Sequence, residues 1–207
     1  MPPQRSLSPF PQLAYGTPRK LPRAKSLPGR VVVLDVAFAA NAGGASFEGV
    51  TKPFLDGLGS RLAMWIDHHD HEMHAAYADD PRFVLHTKAE HGACPELVTP
   101  ERVAWAGEIQ TICCHVDFDG LCSAAKWIRG GVEPYAGADD DARAIDTRLG
   151  EPSERAALID RALRDEGTSH HYLPPGDWAA APQRLLDRLG GRIDGLDQGV
   201  VTGSTWT

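Results

Sequence analysis

The sequence predicts an α/β fold built on a mostly parallel sheet, and three observations support this prediction. Short apolar runs without alternating polar residues, such as residues 30–35, are typical of strands that are covered on both faces. These runs alternate with stretches of helical spacing, which is the rhythm of strand–helix–strand units. Three of the runs end in acids or histidines, and open α/β sheets bind their ligands at the carboxyl ends of the strands.

The predicted strands are short, apolar and bounded by polar residues or turn residues. A run of three valines precedes Asp35, a tryptophan–isoleucine pair precedes Asp67, and a pair of cysteines precedes His115. The strands, in chain order, comprise residues 30–35, 62–66, 82–86, 110–114 and 132–136.

Helices are predicted from apolar spacing and from the residues at which they begin and end. Gly130 and Gly131 end one helix, because glycine readily adopts the left-handed backbone found after a helix C-terminus. Ser153 begins another helix, which has an apolar side. Residues 138–141 are predicted as an acidic turn. The helices comprise residues 47–58, 94–98, 101–106, 121–129, 153–165 and 178–189.

Composition and charge exclude several classes of function. A net charge of −7 argues against a broad basic surface that binds nucleic acid by its phosphates alone. Bound divalent metals would nevertheless reverse the local field and admit a nucleic-acid substrate. No stretch approaches the roughly 20 apolar residues that span a bilayer, and the N-terminus lacks the apolar core of a secretion signal. With four cysteines expected as reduced thiols, we predict a cytoplasmic protein without a membrane partner.

Acids and imidazoles follow three of the predicted strands. These residues are Asp35; Asp67, His68 and His69; and His115, Asp117 and Asp119. Because the carboxyl ends of parallel strands meet at one edge, all seven can converge on one site. Carboxylates and imidazoles suit Mn²⁺ or Mg²⁺, and Zn²⁺ or Fe²⁺ are also compatible. Since one ion cannot use so many ligands, we expect two ions roughly 3.5–4 Å apart that activate water and neutralise a phosphoryl group.

The spacing of the third motif supports a shared site. In an extended segment, the side chains of His115, Asp117 and Asp119 would point to the same side. Gly120 would then open a helix whose N-terminus helps to hold a phosphate.

Asp67-His68-His69 after an apolar strand resembles the signature of the DHH phosphoesterases, a superfamily that includes RecJ-like exonucleases and nanoRNases. Residues 115–120 resemble the first motif of this superfamily, and Asp35 resembles the lone aspartate of its second motif. The resemblance implies a three-layer, doubly wound catalytic domain of DHH type. It also implies a centre of two ions, usually Mn²⁺, and hydrolysis of phosphodiester or phosphoanhydride bonds.

The resemblance also implies roles for individual residues. Asp35 would bridge the two ions, His69 would contact substrate phosphate or polarise a ligand, and Asp67 would orient a neighbour or bind metal. The catalytic residues implied are His68, His69 and Asp117. The metal ligands implied are Asp35, Asp67, His68, His115, Asp117 and Asp119.

The sequence departs from the DHH pattern in three ways. The first motif follows the Asp-His-His motif instead of preceding it, which suggests a circularly permuted sheet. The second domain of the family, with its glycine-rich histidine motif, is not recognisable, so we expect a catalytic core alone or a truncated chain. The aspartate of the fourth motif is not on a clear strand end, and its candidates are Asp139, Asp140, Asp141 and Asp146.

We therefore expect three regions. Residues 1–29 form an extended N-terminal arm, residues 30–150 a DHH-like metal-binding catalytic domain, and residues 151–207 a C-terminal helical extension. The predicted function is the hydrolysis of phosphodiester bonds by two Mn²⁺ ions, with Mg²⁺ as the alternative. The expected partner is a phosphorylated small molecule or a short single-stranded nucleic acid. The alternatives left open are a non-catalytic domain that binds nucleic acid or a protein partner, a pyrophosphatase, and a structural zinc protein.

Overall fold

The computed structural model describes residues 11–165. This part of the chain contains a five-stranded sheet in which all neighbouring strands are parallel. Helices cover both faces of the sheet, so the coarse prediction of a three-layer α/β fold with a mostly parallel sheet is confirmed. The strands are β1 (Gln12–Tyr15), β2 (Val31–Leu34), β3 (Leu62–Asp67), β4 (Phe83–Leu85) and β5 (Thr111–Cys114).

Five α-helices lie within the described residues. The helices are α1 (Lys52–Leu58), α2 (Pro100–Ala106), α3 (Phe118–Ile128), α4 (Ala138–Thr147) and α5 (Glu154–Asp165). The remaining helical turns are 3-10 segments at Ala24–Ser26, Gly59–Arg61, Glu72–Tyr77 and Cys94–Leu97, and a π-helical segment at Phe47–Thr51. The helix predicted at residues 178–189 lies outside the described residues. None of the described helices is long and apolar enough to cross a membrane.

The strand order of the sheet is β1-β5-β2-β3-β4. From β2 the chain moves outward through β3 to β4, and it then returns to place β5 on the opposite side of β2. The direction of winding therefore reverses between β2 and β5. In open α/β sheets, the crevice outside the carboxyl ends of the strands at such a reversal is the usual place for a ligand.

Alternate residues of β2 face two separate cores. Val32 and Leu34 pack in a core that includes residues of α2, α3, α4 and α5. Val31 and Val33 pack in the other core, together with α1 and Phe38. All four residues of β2 are completely buried. This double coverage explains why the strand is a continuous apolar run in the sequence.

The structure differs from the sequence-based expectation in three segments. Gln12–Tyr15, within the segment predicted as an arm, forms β1 at the edge of the sheet and pairs with β5. The strand predicted at residues 132–136 is wrong, since Pro134 has no N–H to donate to a strand ladder. The turn predicted at residues 138–141 is also wrong, because these residues form the first turn of α4. There the three aspartates interact favourably with the positive end of the helix dipole.

Candidate metal centre

The polar ends of the three central strands meet at one edge of the sheet. Asp35 follows β2 directly, and β2 lies between β3 and β5. The backbone of Asp35 has a φ of 56°, which lies in the left-handed region that few residues other than glycine adopt. Its N–H nevertheless donates to the carbonyl oxygen of Ile66 in β3 at 2.9 Å, so Asp35 remains fixed to the sheet. Unusual backbone geometry of this kind concentrates at functional sites.

Potential metal-ligating atoms form three groups in the described residues, and within each group the atoms lie within 4.8 Å of one another. The groups are Asp35, His115 and Asp117; His68, Asp119 and Asp146; and Asp35, His68 and His69. Asp35 belongs to two of them, and its Oδ1 lies 3.4 Å from Nε2 of His68. It therefore stands between a group on the β5 side and a group on the β3 side. The carboxylate of Asp35 is therefore common to two candidate ligand groups.

Two buried atoms at the centre of the site are compatible with a bound cation. Nε2 of His68 and Oδ1 of Asp35 are both buried without a hydrogen-bond partner. Nδ1 of His68 lies 2.9 Å from the carbonyl oxygen of His91, to which it donates. Burial lowers the pKa of His68, but the contacts and charges of Asp119 and Asp35 raise it to about 11, so a cation at Nε2 would replace a proton. A cation would satisfy both of these atoms. Carboxylates and imidazoles are ligand types that suit Mn²⁺ or Mg²⁺, and Zn²⁺ or Fe²⁺ are also compatible.

His115 and Asp117 form a hydrogen-bonded pair at the start of α3. Nδ1 of His115 lies 2.7 Å from Oδ2 of Asp117, and Oδ1 of Asp117 accepts from the N–H of Gly120 at 3.0 Å. A Cβ on Gly120 would lie 2.4 Å from the carbonyl oxygen of His115, so only glycine fits this close approach. The sequence predicts that Gly120 opens a helix whose N-terminus helps to hold a phosphate. That expectation needs correction, because the N–H of Gly120 already donates to Asp117.

The expectation that the third motif continues as an extended segment is wrong. Asp117 is the N-cap of α3, which begins at Phe118, so Asp119 lies in the first helical turn. Asp119 reaches the site by another route. Both of its carboxylate oxygens accept from the N–H of Cys94, at 3.0 and 3.2 Å. Its Oδ2 then lies 3.1 Å from Nε2 of His68.

Asp67 and His69 form a second hydrogen-bonded pair. Oδ1 of Asp67 lies 2.8 Å from Nδ1 of His69, and Oδ2 accepts from the backbone N–H of the same residue at 3.3 Å. Asp67 is completely buried and belongs to none of the three groups of described residues. In the metal-free structure, this predicted metal ligand is therefore engaged by His69. The side chain of His69 is 33% exposed, whereas that of His68 is fully buried, so His69 is the more accessible to a substrate.

Asp146 is the residue that sequence reasoning could not assign. It lies in α4 and joins the group of His68 and Asp119, while its Oδ2 lies 2.6 Å from Nζ of Lys88. A helical position gives no strand-end signal, so nothing in the sequence separates Asp146 from the other candidates. The other three candidates have different partners: Asp139 pairs with Lys126, Asp140 with Arg143, and Asp141 with Tyr135 and Ser153.

Burial and crowding of like charges shift the pKa values in the site. Burial raises the pKa of Asp35 well above its usual value, and the charges of Asp119 and Asp117 raise it further. Burial also raises the pKa of Asp119 to about 6. Burial opposes ionisation of Asp117, but the charge and hydrogen bond of His115 hold the pKa of Asp117 well below its usual range. The metal-free cluster therefore holds more protons than the same side chains would in water.

Comparison with known proteins does not extend the resemblance found in the motifs. No family model matches the chain, and neither does a curated protein or a solved structure. The case for a function consequently depends on the geometry of the side chains. In the described residues, that geometry is a cluster of carboxylates and histidines that could hold metal, at the reversal point of a parallel sheet.

Proposed function

We propose that this protein is a metal-dependent phosphoesterase that hydrolyses phosphodiester bonds in short oligonucleotides or small nucleotides. The observation that carries this proposal is the set of ligand groups around Asp35 and His68, in which Oδ1 of Asp35 and Nε2 of His68 are buried without a hydrogen-bond partner. Two Mn²⁺ ions, or Mg²⁺ ions in their place, would supply a nucleophilic water at neutral pH and would neutralise the phosphoryl group during transfer.

The two groups divide the ligands between two cations. Hydrogen bonds from outside the groups hold these side chains in place before any cation binds. The carbonyl of His91 fixes the ring of His68, and the N–H of Cys94 fixes the carboxylate of Asp119. Such supporting bonds set the tautomer and orientation of metal ligands. One cation would be held by Asp35, His115 and Asp117, and the other by His68, Asp119 and Asp146. Asp35 would lie between them, since its Oδ1 is 3.4 Å from Nε2 of His68.

His69 is the residue that we propose to contact the substrate. Its ring packs edge-on against His68, with 4.8 Å between the ring centroids, and it is partly open to solvent. Asp67 accepts a hydrogen bond from Nδ1 of His69 and therefore orients the ring. A protonated His69 would bind a phosphate oxygen or deliver a proton to the leaving oxygen.

Charge and thiol chemistry support the proposed substrate size and location. The net charge of −7 disfavours a long nucleic-acid track, so a short oligonucleotide or small nucleotide fits better. The four cysteines are all free and buried, which is compatible with a reducing compartment. We therefore propose a cytoplasmic location.

The proposal is tested with the full chain, stripped of metal and then supplied with Mn²⁺. Short oligonucleotides, cyclic dinucleotides, 3′-phosphoadenosine phosphate and pyrophosphate serve as substrates. We expect turnover of a phosphodiester that falls by more than about a hundred-fold in Asp117→Asn and in His68→Asn, since even supporting contacts to metal ligands are worth up to that factor. Asp70→Asn is the matched control, because Asp70 lies in the same loop but is exposed.

Each alternative predicts a different outcome of the same assay. Nucleic-acid binding without turnover of any substrate would favour the non-catalytic domain, and turnover of pyrophosphate alone would favour a pyrophosphatase. A structural zinc protein would retain zinc and show no response to Mn²⁺. Turnover that persists in both variants would disprove the proposed site.

A further inference from the structure

Lys88 forms an ion pair with a member of the candidate metal centre. Its Nζ lies 2.6 Å from Oδ2 of Asp146, whose carboxylate is grouped with His68 and Asp119. Burial lowers the pKa of Lys88, but the bond to Asp146 and the charges of Asp35 and Asp119 raise it above its usual value. In the metal-free protein, the ammonium of Lys88 therefore neutralises part of the negative charge of the cluster.

The loop after β4, which carries Lys88, is fixed at His91 and Gly92, whereas the Lys88 side chain is partly exposed. The carbonyl of His91 accepts the hydrogen bond of His68, which ties the loop to the site. Gly92 packs so closely on α4 that a Cβ there would lie 2.6 Å from Cγ of Arg143. The side chain of Lys88 is 40% exposed, so its ammonium can change partners without movement of the loop.

An ammonium and a divalent cation would compete for the same carboxylate. A cation bound by His68, Asp119 and Asp146 would compensate the negative charge that holds Lys88 and would also repel its ammonium. The displaced ammonium would lie next to any phosphate that the cations attract. We propose, on the basis of the proposed function, that Lys88 neutralises Asp146 in the metal-free protein and binds the phosphate of the substrate in the metal-loaded protein.

The proposal predicts effects of opposite sign when the charge of Lys88 is removed. In Lys88→Met the weaker of the two Mn²⁺ ions should bind about two- to five-fold more tightly, because a partly exposed competing ion pair is lost. Inorganic phosphate should bind to the Mn²⁺-loaded variant about ten-fold more weakly, because a charge-assisted hydrogen bond is lost. A purely structural role for Lys88 would weaken both interactions.

The experiment is isothermal titration of the full chain, first with Mn²⁺ and then, after loading, with inorganic phosphate. Lys88→Arg should retain phosphate binding, since a guanidinium also binds phosphate oxygens. Lys52→Met is the matched control, because Lys52 forms the same kind of exposed ion pair, with Asp56 in α1. That control should leave both affinities unchanged, and circular dichroism should show the same fold for all variants.

The outcomes separate this inference from the proposed function. If the wild-type chain binds no Mn²⁺, the proposed function fails and this inference fails with it. If the wild-type chain binds two Mn²⁺ ions but Lys88→Met leaves either affinity unchanged, or weakens Mn²⁺ binding, the role of Lys88 is wrong and the phosphoesterase proposal stands.

Discussion

Nδ1 of His68 lies 2.9 Å from the carbonyl oxygen of His91 and donates a hydrogen bond to it. This bond joins the end of β3 to the loop after β4 and fixes a fully buried imidazole without the help of a metal. Nε2 of His68 therefore faces the carboxylates of Asp35 and Asp119 in the metal-free fold. A site of this kind is preorganised, because its ligands need little rearrangement to accept a cation.

Asp146→Asn should reduce the number of bound Mn²⁺ ions from two to one. Asparagine keeps the shape of the side chain but removes the negative charge that the group of His68 and Asp119 needs to hold a cation. The measurement is Mn²⁺ stoichiometry by titration calorimetry. Asp140→Asn is the control, because the Asp140 side chain is 83% exposed in the same helix. Two tightly bound ions in Asp146→Asn would show that Asp146 is not a ligand.

Asp67→Asn should lower kcat while it leaves Mn²⁺ binding unchanged. The amide can accept at only one of its two terminal atoms, so one of the two bonds from His69 is weakened and the ring is less well oriented. Loss of such a supporting contact lowers activity by about ten- to hundred-fold. Steady-state kinetics and Mn²⁺ titration on the same variant separate the two roles. Loss of a bound ion would mean that Asp67 is a ligand after all.

Asp119 should make the metal-free protein less stable as the pH rises from roughly 4 to roughly 6. Burial raises its pKa from 3.8 to about 6, so the folded state holds a proton that the unfolded state releases. This stabilising contribution is fully present below the pKa of Asp119 in the unfolded state. It is lost as the pH rises through the pKa of Asp119 in the folded state. It amounts to at most about 3 kcal/mol.

The contribution of Asp119 is measured as a difference between two proteins. Urea unfolding of the wild type and of Asp119→Asn, both with a chelator, gives the free energy of unfolding across this pH range. The wild type should lose stability relative to the variant, which cannot titrate at this position. The exposed Asp56→Asn should follow the wild type. A constant difference between wild type and Asp119→Asn would contradict the raised pKa.

Gly120→Ala should destabilise the fold and weaken the metal site. The new Cβ would lie 2.4 Å from the backbone oxygen of His115, and backbone atoms cannot move aside as a flexible side chain can. Overpacking of this kind destabilises by about 1–3 kcal/mol. Gly49→Ala is the control, because its Cβ would meet only the side-chain oxygen of Ser46, at 3.1 Å. Equal unfolding free energies for the two variants would rule out the close approach.

The sequence predicts the strand ends of the site well, because each of them follows a buried strand. Burial on both faces makes β2, β3 and β5 continuous apolar runs, so the polar residue that follows each run is conspicuous. Parallel pairing then makes convergence of Asp35, His68 and His115 a physical expectation. The edge strand β1 gives a weaker signal, since its four residues are only partly buried or exposed and prolines lie on both sides.

Other parts of the site depend on tertiary packing that leaves no local pattern. Asp146 reaches the site because α4 packs beside the loop before α2. In this contact, Gly92 of the loop lies against Arg143 of α4. Asp119 lies near His68 from the first turn of α3 and not from an extended segment, since Asp117 is the N-cap and the helix begins one residue later. The same aspartate–x–aspartate spacing is compatible with a strand or a helix start, and the packing of Gly120 decides between them.

The position of β5 between β1 and β2 has a consequence for the synthesis of the protein. Thr111 pairs with Val31, which leaves the ribosome much earlier, and in the described sheet β1 pairs only with β5, so β1 cannot join the sheet before β5 has been synthesised. Until then, Asp35 and His68 have no access to His115, Asp117 or Asp119. A nascent chain therefore offers an arriving cation only a fragment of its ligands. The full set of candidate ligands therefore comes together only after α4, which carries Asp146, has been synthesised.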